Sequence, residues 1–111
     1  MKFTVFSERD PIGETDLEFH DDGMNVRSGV FVPLPGYERV RPLFRIYAEA
    51  LSREPPDGAS MDRYYRERDR LHLSIRNERG ECIAAGTIHI TDFSVEAGDD
   101  GYEIEVFPPP M

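Results

Sequence analysis

Three histidines are the side chains of this sequence best suited to acid–base or metal chemistry. His72 and His89 fall in two neighbouring runs that alternate like strands, and a bulge near Gly86 would turn both towards one face of a sheet. Two imidazoles are fewer than the three protein ligands usual in a catalytic zinc site. His20 stands apart, at a predicted hairpin tip. We therefore predict strand histidines that face solvent, with no metal site and no cofactor.

Covalent catalysis has little support in the sequence. Cys82 is the single cysteine, so it forms neither an internal disulfide nor a cysteine-based zinc cluster. The neighbouring Glu81 disfavours a thiolate, and we expect Cys82 to be a small buried hydrophobic residue. The nucleophile motif G-x-S-x-G and the phosphate-binding motifs G-x-x-x-x-G-K and G-x-G-x-x-G are absent. No catalytic residue is predicted, and a non-enzymatic protein is favoured over an enzyme.

The stretch DRYYRERDR (62–70) concentrates arginine and tyrosine in a chain whose formal net charge is −9. As a helix it would align Arg63, Arg66 and Arg70 on one face, and as a strand it would alternate its two tyrosines. Arginine and tyrosine suit phosphate or nucleic acid, but the surplus negative charge elsewhere repels a phosphate backbone. We therefore predict internal ion pairs with neighbouring acids, a protein-binding patch as the second interpretation, and no nucleic-acid partner.

Charge is distributed unevenly along the chain. Residues 39–79 contain ten arginines against seven acids, a balance of +3, and the remainder has three bases against fifteen acids, a balance of −12. The acidic runs lack the spacing of a calcium loop, and an acidic surface favours a basic protein partner through electrostatic steering. The carboxylates predicted to contact that partner are Glu14, Asp16, Glu18, Asp21, Asp22, Glu96, Asp99, Asp100, Glu103 and Glu105.

The patterning of the chain predicts an α+β fold. We expect a mainly antiparallel sheet of about six strands, in the order βββ-α-βββ, with one main amphipathic helix packed on one face. The helix is expected over 40–53, with Pro42 in its first turn. Its buried stripe would comprise Val40, Leu43, Phe44, Tyr47 and Leu51, and its solvent side Arg45, Glu49 and Arg53.

Alternation and turn residues place the strands. Residues 2–6 are predicted as the first strand and 7–14 as a loop, because proline and glycine interrupt strand pairing. Asp-Gly at 22–23 predicts a hairpin, and Gly29 marks a bulge or a close backbone approach in its second strand.

Three further runs alternate like strands, at 71–75, 82–93 and 102–107. The first two are predicted to pair around Gly80 in the left-handed conformation, with Ile75 opposite Ile83. In the third run Tyr102, Ile104 and Val106 are predicted to point inward, and Glu103 and Glu105 outward.

The length predicts a single domain over 1–111 that ends in a short proline-rich tail, 108–111. The N-terminal residues do not resemble a secretory signal, and no apolar run approaches the roughly 18 residues of a membrane span. We therefore expect a cytoplasmic protein without membrane contact. Twelve arginines against one lysine favour a GC-rich bacterial genome.

Three functional hypotheses follow. The first is a non-enzymatic acidic domain that binds a basic protein. A small, acidic domain without catalytic motifs resembles many immunity and inhibitor proteins that neutralise a toxin. The second is a ligand-binding or enzyme domain with a pocket between helix 40–53 and the sheet, to which Tyr64, Tyr65, His72 and His89 would contribute. The third is a structural homodimer joined through an exposed strand at 102–107.

Overall fold

The computed structural model describes residues 2–53 and 55–109, which form an α+β fold with two four-stranded antiparallel sheets. The strands are β1 Phe3–Ser7, β2 Asp10–Thr15, β3 Phe19–Asp21, β4 Val26–Val30, β5 Val32–Pro33, β6 Leu73–Arg76, β7 Thr87–Asp92 and β8 Tyr102–Phe107. The helices are α1 Tyr37–Leu51, α2 Gly58–Asp69 and the short α3 Ser94–Ala97, which a 3-10 turn Gly98–Asp100 follows. The predicted fold class is confirmed, with eight strands rather than six.

The strand orders are β5-β2-β1-β6 in the first sheet and β3-β4-β8-β7 in the second. Both sheets and α1 contribute to one hydrophobic core. The buried side chains include Val5, Ile12 and Ile75 of the first sheet, Ile88, Ile90, Ile104 and Val106 of the second, and Val40, Leu43 and Phe44 of α1. Helix α1 packs against β7 and against α2, so the helices cover the β7 edge of the second sheet.

The predicted loop at 7–14 is wrong, because most of it forms β2 between β1 and β5. Gly13 has a packing role there: a Cβ at this position would lie 2.1 Å from Cζ of Phe31. Pro11 pairs with Phe6 where the register shifts after Val5, and an irregular pairing of this kind tolerates a residue without an amide donor.

The hairpin predicted at 22–23 is confirmed and joins β3 to β4. The Asp21 carboxylate accepts hydrogen bonds from the amides of Gly23 and Met24, at 3.0 and 3.2 Å. Gly29 is a site of close approach as predicted, because a Cβ there would lie 3.0 Å from Cα of Leu17.

The chain passes from one sheet to the other at Phe31. The run predicted as a single strand divides there into β4 of the second sheet and β5 of the first. The Phe31 ring is fully buried, with ring centroids 5.3 Å from Tyr37 and 6.3 Å from Tyr102. One buried aromatic ring thus anchors the crossover.

Helix α1 begins three residues before the predicted start. The amides of Tyr37 and Glu38 already bond to the carbonyls of Leu34 and Pro35, so Pro42 lies in the second turn rather than the first. Most of the predicted apolar stripe is buried, but Leu51 is exposed.

Arg45 does not face solvent as predicted. Only 14% of its side chain is exposed, and its guanidinium donates to the Asp92 carbonyl at 2.6 Å and to Glu96 at 3.0 Å. Arg45 also pairs with Glu49, at 3.5 Å, and Arg53 pairs with Asp57, at 2.9 Å.

The predicted pairing of 71–75 with 82–93 holds only next to its turn. The Ile83 amide donates to the Ile75 carbonyl at 2.8 Å, and Gly80 has the predicted left-handed conformation with φ of 80°. Beyond that point β6 pairs with β1, and β7 pairs with β8, so the two runs belong to different sheets. Cys82 precedes β7 and is exposed, contrary to the prediction.

Strand β8 confirms the predicted alternation, since Tyr102, Ile104 and Val106 are buried. It lies between β4 and β7, which occupy both of its edges. The prediction that this strand is exposed for dimerisation is therefore wrong. Of the predicted tail 108–111, only Pro108 and Pro109 fall within the described residues, and neither belongs to a helix or strand.

Candidate functional site on the outer face of the second sheet

The second sheet has one face in the core and one face that points outward. Ile90 and Ile104 lie opposite each other on the core side, and alternate residues point the other way. We call this second side the outer face. Its residues are Phe19 and Asp21 of β3, Val26, Ser28 and Val30 of β4, Glu103, Glu105 and Phe107 of β8, and Thr87, His89 and Thr91 of β7.

The two long helices form a cavity where they meet the outer face. Its volume is about 370 Å³, within the usual range for small-ligand sites. The helices contribute Tyr47, Tyr65 and Arg68, and the sheet contributes Thr87, His89, Glu105 and Phe107. We call this cavity the tyrosine pocket.

His89 is fixed in the wall of the tyrosine pocket. It is 7% exposed, a 2.7 Å hydrogen bond joins its Nδ1 to Oη of Tyr64, and its Nε2 lies 3.3 Å from Oγ1 of Thr91. Burial lowers the pKa of His89 to about 4, and the charge of Arg68 acts in the same direction. The imidazole is therefore neutral at pH 7, and the prediction of a solvent-facing histidine is wrong here.

The tyrosines next to His89 form an aromatic cluster. The Tyr47 ring meets His89 nearly edge-on at 4.4 Å and lies 4.5 Å from Tyr64. Burial raises the pKa of Tyr64, although the charge of Arg68 opposes this shift. Tyr65 remains 39% exposed at the pocket rim. Tyr47 and Tyr65 thus line the pocket, and the buried Tyr64 holds His89 in place behind them.

The arginine-rich stretch is helical, since it lies in α2, which Asp57 caps by accepting from the Ser60 amide at 3.3 Å. Arg68 lies over the rings of Tyr64 and Tyr65, at 5.6 and 5.2 Å. Its guanidinium is also 3.3 Å from the Asp69 carboxylate.

The predicted internal pairing therefore holds for Arg68, and it holds for Arg63, which lies 3.4 Å from Glu67. Arg66 and Arg70 are exposed and form no ion pair with the described part of the chain.

Three of the four residues predicted for a ligand pocket come together, and one does not. Tyr64, Tyr65 and His89 converge, whereas His72 is exposed in the turn before β6, with a left-handed φ of 49°. The prediction placed His72 on a strand next to His89 and failed because β6 and β7 lie in different sheets. Tyr47 was predicted only as part of a buried stripe.

Four of the ten predicted partner-contacting acids have internal roles. Glu96 pairs with Arg45 at 3.0 Å, and Asp22 lies 3.1 Å from His20. Glu18 accepts from the Val30 amide at 3.2 Å, and Asp21 stabilises the β3–β4 turn. Such acids are less available to a partner.

The other six acids make no side-chain hydrogen bond or ion pair within residues 2–53 and 55–109. They are Glu14, Asp16, Asp99, Asp100, Glu103 and Glu105. Burial raises the pKa of Glu105, and the charge of Glu103 on the same strand adds to this effect.

Exposed apolar residues lie among these acids. Phe19 is 66% exposed and Val30 is 50% exposed, and both line a depression of about 380 Å³ together with Asp100 and Glu103. Val30 also borders a second depression, of about 340 Å³, which contains Val32. Glu14, Asp16, Glu18 and one cation, Lys2, surround that second depression. We call Phe19, Val30 and Val32, with Glu14, Asp16, Asp100 and Glu103, the acid-rimmed patch.

A buried carboxylate beside α1 has a structural role. Asp92 is fully buried and accepts from Tyr37 Oη and Ser94 Oγ, both at 2.6 Å, and from Arg41 Nη1 at 3.4 Å. Burial alone would raise the pKa of Asp92, but these hydrogen bonds and the Arg41 charge outweigh it and lower the pKa. The carboxylate stays ionised and joins α1 to the end of β7.

Comparison with known proteins found no matching family model, no matching curated protein and no matching solved structure. Within the described ranges, His, Cys, Asp and Glu side chains do not gather in any group of three that would hold a metal ion. None of the described helices combines the length and apolar character needed to cross a bilayer. The function must therefore be inferred from the outer face itself.

Proposed function

We propose that this protein is a non-catalytic binding domain that holds a basic protein on its acid-rimmed patch. The observation that carries the proposal is the exposure of Phe19 and Val30 beside Asp100 and Glu103, two acids that form no ion pair within residues 2–53 and 55–109. Burying both apolar side chains in a complex would remove them from water, and a basic partner would neutralise the two carboxylates.

The composition of the patch fits the anatomy of a protein interface. Such interfaces bury an apolar centre and leave a polar rim in contact with solvent. Exposed apolar residues that are contiguous and surrounded by polar groups often mark interaction sites. The net charge of −9 adds long-range attraction for a basic partner, which accelerates association and weakens as salt rises.

The narrower form of the proposal is that the partner is a toxic enzyme and that this protein is its immunity protein. An acidic inhibitor that covers a basic active-site surface needs no catalytic group of its own. The partner should then be an enzyme that loses activity when the complex forms.

The test uses the immobilised protein, a lysate of its source organism and mass spectrometry. We expect one basic protein to be retained in near-stoichiometric amount at low salt and released as salt rises. Glu103→Lys and Phe19→Ala should each reduce its recovery strongly. Asp62→Lys, the same charge reversal at an exposed position of α2 outside the patch, should leave recovery unchanged.

Two results would contradict the proposal. One is that the wild-type protein retains no basic protein at low salt. The other is that Glu103→Lys and Phe19→Ala retain the same protein as well as Asp62→Lys does. For the narrower form, a captured enzyme that remains fully active in the complex would exclude an immunity role.

A further inference from the structure

We propose that the tyrosine pocket receives a single cationic side chain, the guanidinium of an arginine, from the basic partner. This inference rests on the proposed function, because it names the group that the partner inserts beside the acid-rimmed patch. Phe19, Val30 and Glu103 of the patch lie on the same outer face of the second sheet as the strand residues of the pocket.

Strand register connects the two sites. His89 pairs with Glu105, Glu105 with Ser28, and Ser28 with Phe19, so these four residues form one row across the sheet. Neighbouring strands are roughly 4.8 Å apart, and the row therefore spans about 14 Å. A protein that covers Phe19 also lies over the mouth of the pocket, within reach of one long side chain.

The walls of the tyrosine pocket contain aromatic rings that suit a guanidinium. Tyr47, Tyr65 and Phe107 supply three aromatic rings around a cavity of about 370 Å³. Aromatic faces attract cations, and arginine is the side chain most often found in such contacts. The aliphatic stem of an arginine would lie against these aromatic residues, and its planar charged head would enter the pocket.

The charge of the pocket also favours a cation. Glu105 lines it without an ion pair among the described residues, and Glu103 lies on the same strand face. Among the described residues of the wall Arg68 is the one cation, and it already lies over Tyr64 and Tyr65 and next to Asp69. An anionic ligand would face Glu105 in the wall, with Glu103 two residues along the same strand, so a carboxylate or phosphate is disfavoured.

The experiment is an NMR titration of the ¹⁵N-labelled full chain with Nα-acetyl-arginine amide, followed at the amides of Thr87, His89, Glu105 and Phe107. Nα-acetyl-citrulline amide, the neutral isostere, is the matched ligand control, and Nα-acetyl-lysine amide tests whether an ammonium suffices. We expect saturable shifts with the arginine derivative and roughly tenfold weaker binding of citrulline, because only the charged head gains the cation–aromatic and carboxylate contacts.

Variants assign the effect to the pocket. Glu105→Gln should weaken arginine binding at least fivefold, a loss on the order of one charge-assisted contact, and Phe107→Leu should weaken it without altering Arg68. Asp62→Asn removes an acid outside the pocket and should leave binding unchanged. Amide spectra of the variants that otherwise overlay the wild-type spectrum show that the fold is intact.

Equal affinity for citrulline, or unchanged affinity in Glu105→Gln, would overturn the inference. Shifts that scatter over the acidic surface rather than the pocket would overturn it as well. Because the titration needs no partner, its failure leaves the proposed function standing. If a partner is captured through the patch and its recovery is unchanged by Glu105→Gln, the proposed function stands and the inference about the tyrosine pocket fails.

Discussion

At the scale of single residues, His89 gives a pH dependence with a defined sign. Burial holds its pKa at about 4 in the folded protein, against 6.5 when it is exposed. Between these values the unfolded chain binds a proton that the folded chain does not, so stability must fall as pH is lowered from about 6.5 to about 4. The contribution of His89 over that window is on the order of 3 kcal/mol.

The measurement is the free energy of unfolding by urea at several pH values between 4.5 and 7. Carboxylates titrate in part of this range, so the comparison is with His89→Asn, which keeps an acceptor for Tyr64 but does not titrate. We expect the variant to have a clearly shallower slope. Equal slopes in the two proteins would show that the pKa of His89 is the same in the folded and the unfolded chain.

Asp92 is a charged residue that the fold buries completely. In Asp92→Asn the amide group replaces one oxygen that accepts from Tyr37, Ser94 or Arg41, and the ionic contact with Arg41 is lost. Removing the charge of a fully buried acceptor and leaving one of its donors unpaired typically costs about 2–3 kcal/mol. Urea unfolding should show a loss of that order.

The control for this prediction is Ser94→Ala, which removes one donor and leaves the carboxylate bonded to Tyr37 and Arg41. It should cost about 1 kcal/mol, as expected for a single hydrogen bond. If Asp92→Asn were no more costly than Ser94→Ala, Asp92 would not be the anchor between α1 and β7.

The residues of the tyrosine pocket were only partly predictable. Tyr64, Tyr65 and His89 are conspicuous because polar aromatic residues are few in this chain. Tyr47 fits the apolar stripe of α1, and Phe107 falls on the glutamate side of β8; nothing in their local sequence shows that either ring lines a cavity. Their role follows from the placement of α1 against β7, which is a tertiary contact.

At the scale of elements, β2 depends on one missing side chain. Gly13→Ala would place a methyl group 2.1 Å from the Phe31 ring at the crossover between the sheets. Overpacking a core usually costs about 1–3 kcal/mol, and an overlap this deep with a fully buried ring should reach the upper end or prevent folding. Thermal and urea unfolding of the variant measure the effect.

Two companion variants make this prediction specific. Gly58→Ala, at the first position of α2, meets no atom within 4 Å and should change stability by less than about 0.5 kcal/mol. The double variant Gly13→Ala with Phe31→Leu should recover part of the loss relative to Gly13→Ala alone. A tolerated Gly13→Ala would mean that the Phe31 ring can move without cost.

Sequence patterns predict some of the helices and strands of this fold and miss others, including β2. Periodicity predicted α1, the β3–β4 hairpin and the buried side of β8, since each pattern is local. It missed β2 because proline and glycine read as breakers unless a distant ring and an irregular register require them. It also merged β4 with β5, because alternation does not reveal that a chain changes sheets.

At the scale of the whole molecule, the outer face is a product of topology rather than of any motif. Strands β3, β4, β8 and β7 come from three separate parts of the chain, and the register alone aligns Phe19 with His89. The acidic composition was visible in the sequence. Which acids are paired and which are free was not, because Arg45 and Glu96 are distant in sequence and adjacent in space.

The difference between paired and unpaired acids predicts opposite effects of their substitutions on the free energy of unfolding. An acid that is retained for binding and has no ion pair among the described residues adds repulsion to the folded state, because the chain has a net charge of −9. Glu103→Gln should therefore raise the free energy of unfolding at low salt, by up to about 0.5 kcal/mol. Glu96→Gln should lower it, because Glu96 pairs with Arg45.

Both effects should shrink as sodium chloride is raised, since screening weakens repulsion and attraction alike between exposed charges. Urea unfolding of the wild type and the two variants at low and high salt provides the test. If Glu103→Gln destabilised the protein as Glu96→Gln does, Glu103 would have an internal partner, and the acid-rimmed patch would lose the free carboxylate on which its attraction for a basic protein depends. If Glu103→Gln raises the free energy of unfolding and Glu96→Gln lowers it, Glu103 reduces stability and is retained for binding, as is common at functional sites.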